Sequence, residues 1–217
     1  MPVLDARVRR GLAPALDGVA ARLAVAGVPP LALTGAGWLA GVGACVGAGL
    51  GAWTLALVLW LVNRVLDGLD GPLARQHGAT ELGGFLDIVA DFSIYAGFVL
   101  GIAVDRPQAR LACLALLSTY YVSGTAFLAL SSLLERRGAG VGDGRSLRFV
   151  GGLAEGTETV IVYVLFCVLP GHAELIAWLF TAAVAITAGQ RIMLGVALLR
   201  QKPSIASSTE QHREGIR

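Results

Sequence analysis

The chain has 217 residues, of which 55 % are hydrophobic and only 15 % charged, and its mean hydropathy is +0.70. Such a balance excludes an ordinary soluble globular domain and points to an all-α integral membrane protein embedded in a lipid bilayer. A net charge of +2, with no basic run interleaved with aromatics, gives no footing for nucleic acid.

From the N-terminus, Leu4, Val8, Leu12, Leu16, Val19 and Leu23 recur at steps of three and four, with Arg7, Arg10 and Asp17 elsewhere around the helix. The pattern predicts an amphipathic helix lying in the membrane interface over 1–28, with a cap helix packed on the bundle as the alternative. Pro14 kinks that helix or marks its true start. Asp17 and Arg22 interrupt any signal-peptide core, so the segment reads as retained.

Six apolar stretches then approach the roughly 20 residues a membrane-spanning helix needs: 31–51, 52–70, 83–104, 111–133, 153–169 and 174–199. They define a six-helix domain over 29–200, followed by a polar cytoplasmic tail over 201–217. In the first span Gly37, Gly41, Gly43, Gly47 and Gly51 recur in four-residue steps, which lets helix backbones approach closely, either within the bundle or in a homodimer. Arginine placement sets the orientation: with a cytoplasmic N-terminus, Arg22, Arg75, Arg136, Arg145, Arg148 and Arg200 fall inside, and only Arg106 and Arg110 outside. Cys45, Cys113 and Cys167 lie in apolar runs without metal-ligand spacing and read as small buried residues.

The chemistry concentrates in "NRVLDGLDGPLARQHGATELGGFLDIVAD", residues 63–91. The uncharged part of the second span, 51–63, covers only about 20 Å, so its helix must continue through Arg64 to Asp70. Asp67 and Asp70 then share one helix face near the cytoplasmic edge, and Asp87 and Asp91 share the opening turns of the next span. Each buried charge costs about 2.5–3.5 kcal/mol at mid-membrane, and Arg64 and Arg75 cannot neutralise four acids.

Divalent metal resolves the imbalance. All-oxygen ligation suits Mg²⁺ or Mn²⁺, and four carboxylates on two helices have room for two ions of the kind that clamp phosphoryl oxygens. An ion pathway or a small divalent-cation transporter is the rival from another class. Gly68, Gly71, Gly78, Gly83 and Gly84, with the guanidinium fork of Arg75, favour a bulky phosphate ester, for which transport has no need. His77 reads as a solvated loop residue, and the hydroxyls of 118–121 as a polar strip or as groups satisfied on their own helix.

Asp67-x-x-Asp70-Gly71-x-x-Ala74-Arg75, followed by Gly83-x-x-x-Asp87-x-x-x-Asp91, resembles the signature of the CDP-alcohol phosphatidyltransferases: eight defined positions across 25 residues. Seven residues separate Arg75 from Gly83 where the usual pattern has eight, a shortening that falls in the connecting turn. The resemblance implies attack by an alcohol hydroxyl on a CDP-linked lipid, usually CDP-diacylglycerol, with release of CMP. It further implies Asp67, Asp70, Asp87 and Asp91 as metal ligands, Asp91 also as general base, and Gly71, Ala74, Arg75 and Gly83 around the nucleotide, with Thr34 as a further contact. Arg191, inside the last span, resembles the arginine that holds an acceptor phosphate. Arg145 and Arg148 join it as candidate acceptor-binding residues. Glu155 and Glu158 leave room for a cationic acceptor, and CDP-choline or CDP-ethanolamine transfer to diacylglycerol is the alternative within the family. The active site is expected to face the cytoplasm from a bacterial inner membrane.

Overall fold

The computed structural model describes residues 3–136 and 156–200, apart from the side chains of residues 3–10 and 12. The described residues are all-helical: α1 (Val3–Val25), α2 (Pro30–Gly49), α3 (Trp53–His77), α4 (Glu81–Asp105), α5 (Arg110–Arg136), α6 (Gly156–Val168) and α7 (Ala173–Arg200), with single 3-10 turns at Pro107–Ala109 and Pro170–His172. Four of these stretches, Pro30–Gly49, Glu81–Asp105, Pro107–Arg136 and Pro170–Arg200, are long and apolar enough to cross a membrane. α3 carries charge through its second half. The described part of α6 is only 13 residues, about 20 Å of helix.

α1 is one continuous helix with Pro14 inside it. Its Ala20, together with Leu16 and Leu23, packs against Leu33 of α2 and against Leu69 and Leu73 of α3, a small apolar cluster apart from the main core. The leucine and valine positions 4, 8 and 12 fall among the side chains outside the description.

α2 is packed through its glycines. A Cβ on Gly41 would lie 2.7 Å from Ile94 and on Gly37 3.3 Å from Leu66, while one on Gly47 would meet the Ala56 backbone at 3.3 Å. From the opposing helix, a Cβ on Gly101 would lie 2.5 Å from the Cys45 carbonyl oxygen. The small-residue stripe therefore seats α3 and α4 against α2 within one chain. Gly51, at φ 70°, turns α2 into α3 beside Asp105.

The main core is aromatic: Trp60, Phe98, Tyr163 and Phe166 are fully buried, with the Trp60 and Tyr163 rings stacked at 4.7 Å. Tyr163 donates to the Tyr95 carbonyl at 2.8 Å, and Trp60 to the Val160 carbonyl at 3.4 Å, tying α6 to α3 and α4. Outward-facing Leu39, Val104, Leu111, Leu179 and Met193 are each more than 60 % exposed, an apolar exterior that water would not tolerate on this scale. Cys113 and Cys167 are buried and Cys45 partly so, all three unpaired.

The structure corrects one local reading. His77 is not a loop residue but ends α3, its Nδ1 3.2 Å from the Leu73 carbonyl, and the connection to α4 is only Gly78–Thr80. Gly78, at φ 89°, stops α3. Thr80 caps α4, its hydroxyl accepting from the Gly83 amide at 3.1 Å. The shortened Arg75–Gly83 spacing is thus absorbed by a tight helix–helix turn.

Candidate active site

The second half of α3 and the opening turns of α4 run side by side, and between them lies a narrow cleft lined by Thr34, Trp38, Asp67, Asp70, Asp87 and Asp91. Carboxylate oxygens of Asp67, Asp70 and Asp87 all lie within 4.8 Å of one another. Thr34 of α2 donates to Asp70 at 3.2 Å, and Trp38 donates to Ser93 at 2.9 Å, so α2 closes the cleft from one side. Three half-buried carboxylates this close repel each other strongly without a cation between them, and a hard, oxygen-preferring divalent ion fits the donor set.

Asp91 is placed differently. Its carboxylate accepts from Arg64 Nη2 at 2.8 Å, and the same guanidinium reaches Asp67 at 3.4 Å and the Tyr95 hydroxyl at 2.9 Å. Arg64 Nε donates to the Asn63 side chain at 2.8 Å, and Asn63 in turn donates to the Gly37 carbonyl at 2.9 Å. The Arg64 guanidinium lies 4.7 Å over the Trp60 ring and 5.3 Å from that of Tyr95, with its side chain 10 % exposed. Three of the four acids therefore converge on one another, Arg64 is shared between Asp67 of that set and Asp91, and all four line one cleft. In the sequence Arg64 counts only as one of two cations beside four acids. The signal was the polar pair Asn63–Arg64 breaking an apolar run one turn before Asp67, which inside a membrane helix requires a partner.

The other motif residues lie along the same turns. Gly71 and Ala74 are half-buried on α3, and a Cβ on Gly71 would have only the Arg75 side chain within 4 Å, at 3.7 Å. Gly83 lies at the α4 cap, where a Cβ would crowd Thr80 Oγ1 at 3.1 Å. Arg75 is exposed and ion-paired with Asp17 of α1 at 3.6 Å. Gly68 faces α1: a Cβ there would lie in ordinary contact with Leu16, at 3.7 Å.

A cavity of about 530 Å³ opens among α4, α5, α6 and α7, lined by Phe92, Tyr95, Tyr120, Ser123, Thr159 and Arg191, among others. Arg191 donates to the Ser123 hydroxyl at 2.8 Å and lies 5.2 Å over the Phe127 ring. Tyr95 lines this cavity and bonds Arg64, so a chain of side chains runs from the cavity wall through Arg64 to Asp67 and Asp91 of the cleft. Ser118 and Thr119 are satisfied by the Leu114 and Leu116 carbonyls of their own helix, while Tyr120 turns into the cavity. Arg145, Arg148 and Glu155 lie outside the described residues.

The CDP-alcohol phosphatidyltransferase profile matches residues 28–189, which takes in α2 to α6, most of α7 and all of the acid cleft. The chain belongs to the CDP-alcohol phosphatidyltransferase family. A relative, "Inner membrane protein YnjF" of Escherichia coli (strain K12), is 37 % identical over 202 residues, covering 91 % of this chain and 98 % of its own. Two solved structures of Mycobacterium tuberculosis phosphatidylinositol phosphate synthase (PgsA1), one with CDP-DAG bound and one in complex with manganese and citrate, share the fold at a TM-score of 0.66 and 23 % identity. Each covers 83 % of this chain, and 92 % and 88 % of the respective solved chain. As a CDP-alcohol phosphatidyltransferase, the protein is a multi-pass membrane transferase of phospholipid synthesis.

Proposed function

We propose that the protein transfers a phosphatidyl group from CDP-diacylglycerol to the hydroxyl of a phosphorylated polyol and releases CMP. The observation that carries this reading is the convergence of Asp67, Asp70 and Asp87 on one point beside a cavity with an arginine in its wall. A PgsA1 structure with CDP-DAG bound and another with manganese support the donor and the type of ion.

In this reading Asp67, Asp70 and Asp87 hold Mg²⁺ or Mn²⁺, which supplies positive charge to the pyrophosphate and to the departing CMP. Occupation by two ions requires Asp91 to exchange Arg64 for metal. Gly71, Ala74 and Gly83 leave the α3–α4 surface low enough for the cytidine diphosphate to lie against backbone. Arg75 turns from Asp17 to the phosphates, and Thr34 adds a hydroxyl at the cleft edge. Asp91 accepts the proton of the attacking hydroxyl, a role worth roughly 10²–10⁴-fold. The hydroxyl oxygen forms its bond to the phosphorus that bears the lipid, and the bond to CMP breaks. Arg191 holds the acceptor phosphate at the far side of the cavity and keeps the hydroxyl in line, with Arg145 and Arg148 as further anchors.

We further infer six spans, with α3 and α6 completing the four apolar crossings, α1 at the interface, both termini in the cytoplasm and the cleft facing it. The residues 1–28, 29–200 and 201–217 then form interfacial helix, catalytic domain and tail. The arginines support this orientation: Arg136 and Arg200 end α5 and α7, whereas Arg106 and Arg110 flank the opposite turn. Cysteines placed at Arg136 and Arg110 are expected to label from the cytoplasm and from outside, respectively; the reverse overturns the orientation.

The reaction is tested with purified protein, labelled CDP-diacylglycerol, Mn²⁺ or Mg²⁺, and a panel of alcohols resolved by lipid chromatography. CMP release coupled to a new phospholipid with glycerol phosphate or inositol phosphate supports the reading. Transfer to choline or serine alone overturns the choice of acceptor, and product formed only from CDP-choline and diacylglycerol overturns the donor.

A further inference from the structure

We infer that Tyr95 determines acceptor specificity: its phenol donates a hydrogen bond to the acceptor hydroxyl next to the one that attacks, so the site selects a vicinal diol. Tyr95 lies outside the Asp67–Asp91 signature, and its role rests on the proposed reaction.

Tyr95 lines the same cavity as Arg191. On α4 it follows Asp91 by four residues, so the two share a helix face, with Cβ atoms about 5–6 Å apart. An acceptor whose phosphate rests on Arg191 and whose attacking hydroxyl reaches Asp91 passes Tyr95 close to its reacting end. Two hydroxyls on adjacent carbons match the short span from Asp91 to Tyr95. A hydroxyl further along the acceptor does not.

The phenol has a donor to spare. Its oxygen accepts from Arg64 Nη1 at 2.9 Å, and among the described residues no acceptor takes its own proton. Two other hydroxyls of the cavity wall are engaged: Tyr120 is bonded to the Tyr163 hydroxyl at 3.3 Å, and Ser123 accepts from Arg191 at 2.8 Å. A hydroxyl that accepts from a cation is polarised and donates more strongly in turn. Arg64 continues to polarise it when Asp91 turns to metal, because Nη1 serves Tyr95 and Nη2 serves Asp91. The ring is held without help from its hydroxyl, by edge contacts to Trp60 and Tyr163 at 6.2 Å and 6.0 Å between centroids. Removing the oxygen alone therefore leaves the packing in place.

The experiment compares glycerol phosphate with 3-hydroxypropyl phosphate, which lacks only the middle hydroxyl, on wild type and Tyr95→Phe with CDP-diacylglycerol as donor. Wild type is expected to show a KM roughly tenfold higher for the deoxy acceptor, and Tyr95→Phe to raise the KM for glycerol phosphate by a similar factor. With the deoxy acceptor the two proteins should agree to within about twofold, because the same bond cannot be lost twice. Mn²⁺ affinity, read by electron paramagnetic resonance without lipid, and the CDP-diacylglycerol KM should stay near wild type. Tyr95→Leu also lacks the hydroxyl and carries the comparison should Tyr95→Phe not fold, as judged by thermal unfolding in detergent. Equal losses with both acceptors overturn the proposal. So does a fall in Mn²⁺ affinity together with a rise in both KM values, which would make Tyr95 only a prop for Arg64. A wild type that transfers to neither phosphate overturns the proposed acceptor class and the vicinal-diol selection with it, whereas transfer to both with equal KM overturns the selection alone.

Discussion

The two halves of the bundle are built on different principles. In α2, α3 and α4 the backbones touch through glycine, with a Cβ on Gly101 only 2.5 Å from the Cys45 carbonyl oxygen, and polar side chains are cross-linked from helix to helix. Where α5, α6 and α7 face α4, a cavity of about 530 Å³ opens, walled by Phe92, Tyr95, Tyr120 and Arg191. The first half leaves its backbones no room for a side chain between them, a firm footing for a cluster of like charges. The second half supplies room, which a substrate needs.

The sharpest way to break the contrast is to deny the first half the divalent ion proposed for it. Excess chelator is expected to abolish transfer and Mn²⁺ to restore it, and Asp87→Asn to lower kcat by roughly 10³-fold while the protein stays folded; turnover that survives chelation refutes the metal reading. Next in size is the packing itself. Gly101→Val forces a side chain onto the α2 backbone and is expected to destabilise by about 3 kcal/mol or more, read as thermal unfolding in detergent. The same change at Gly189, where a Cβ meets nothing within 4 Å, should cost under about 1 kcal/mol.

The second half is probed through Arg191. Arg191→Ala should raise the KM of a phosphorylated acceptor roughly tenfold, the value of one charge-assisted hydrogen bond, with little change for the donor. Equal losses with choline, serine and glycerol phosphate would make it a structural residue. The smallest effect lies at the edge of the first half, where α1 meets α3: the exposed Asp17–Arg75 pair, 3.6 Å apart, should contribute under about 1 kcal/mol to stability, so Asp17→Asn should leave unfolding nearly unmoved.

Much of this was legible in the sequence because it depends on helical periodicity alone. The apolar stretches fall on α2 to α7 within a few residues, except that α3 runs on past Asp70 to His77, and the three-residue step from Asp67 to Asp70 does put both on one face. What periodicity cannot say is which acid a neighbouring helix will claim. Asp87 and Asp91 both line the cleft, as their four-residue step implies, but Arg64 of α3 bonds Asp91 and not Asp87. Tyr95 and Ser123 were invisible for the same reason, being ordinary residues in apolar runs until packing set them beside an arginine. His77 was misread because Pro72 and the surrounding glycines look like a loop, whereas the helix tolerates them for another turn before Gly78 ends it.

The ion pair between Arg64 and Asp91 also constrains how the chain enters the bilayer. α3 emerges from the ribosome carrying Arg64, Asp67 and Asp70, a poor candidate for release into lipid by itself, whereas the partners for its arginine arrive later on α4. The two helices are joined by only Gly78–Thr80, so they can leave the insertion channel together as a hairpin with the charges already matched. Loss of Asp91 should then slow membrane integration of a newly made chain that has yet to meet substrate.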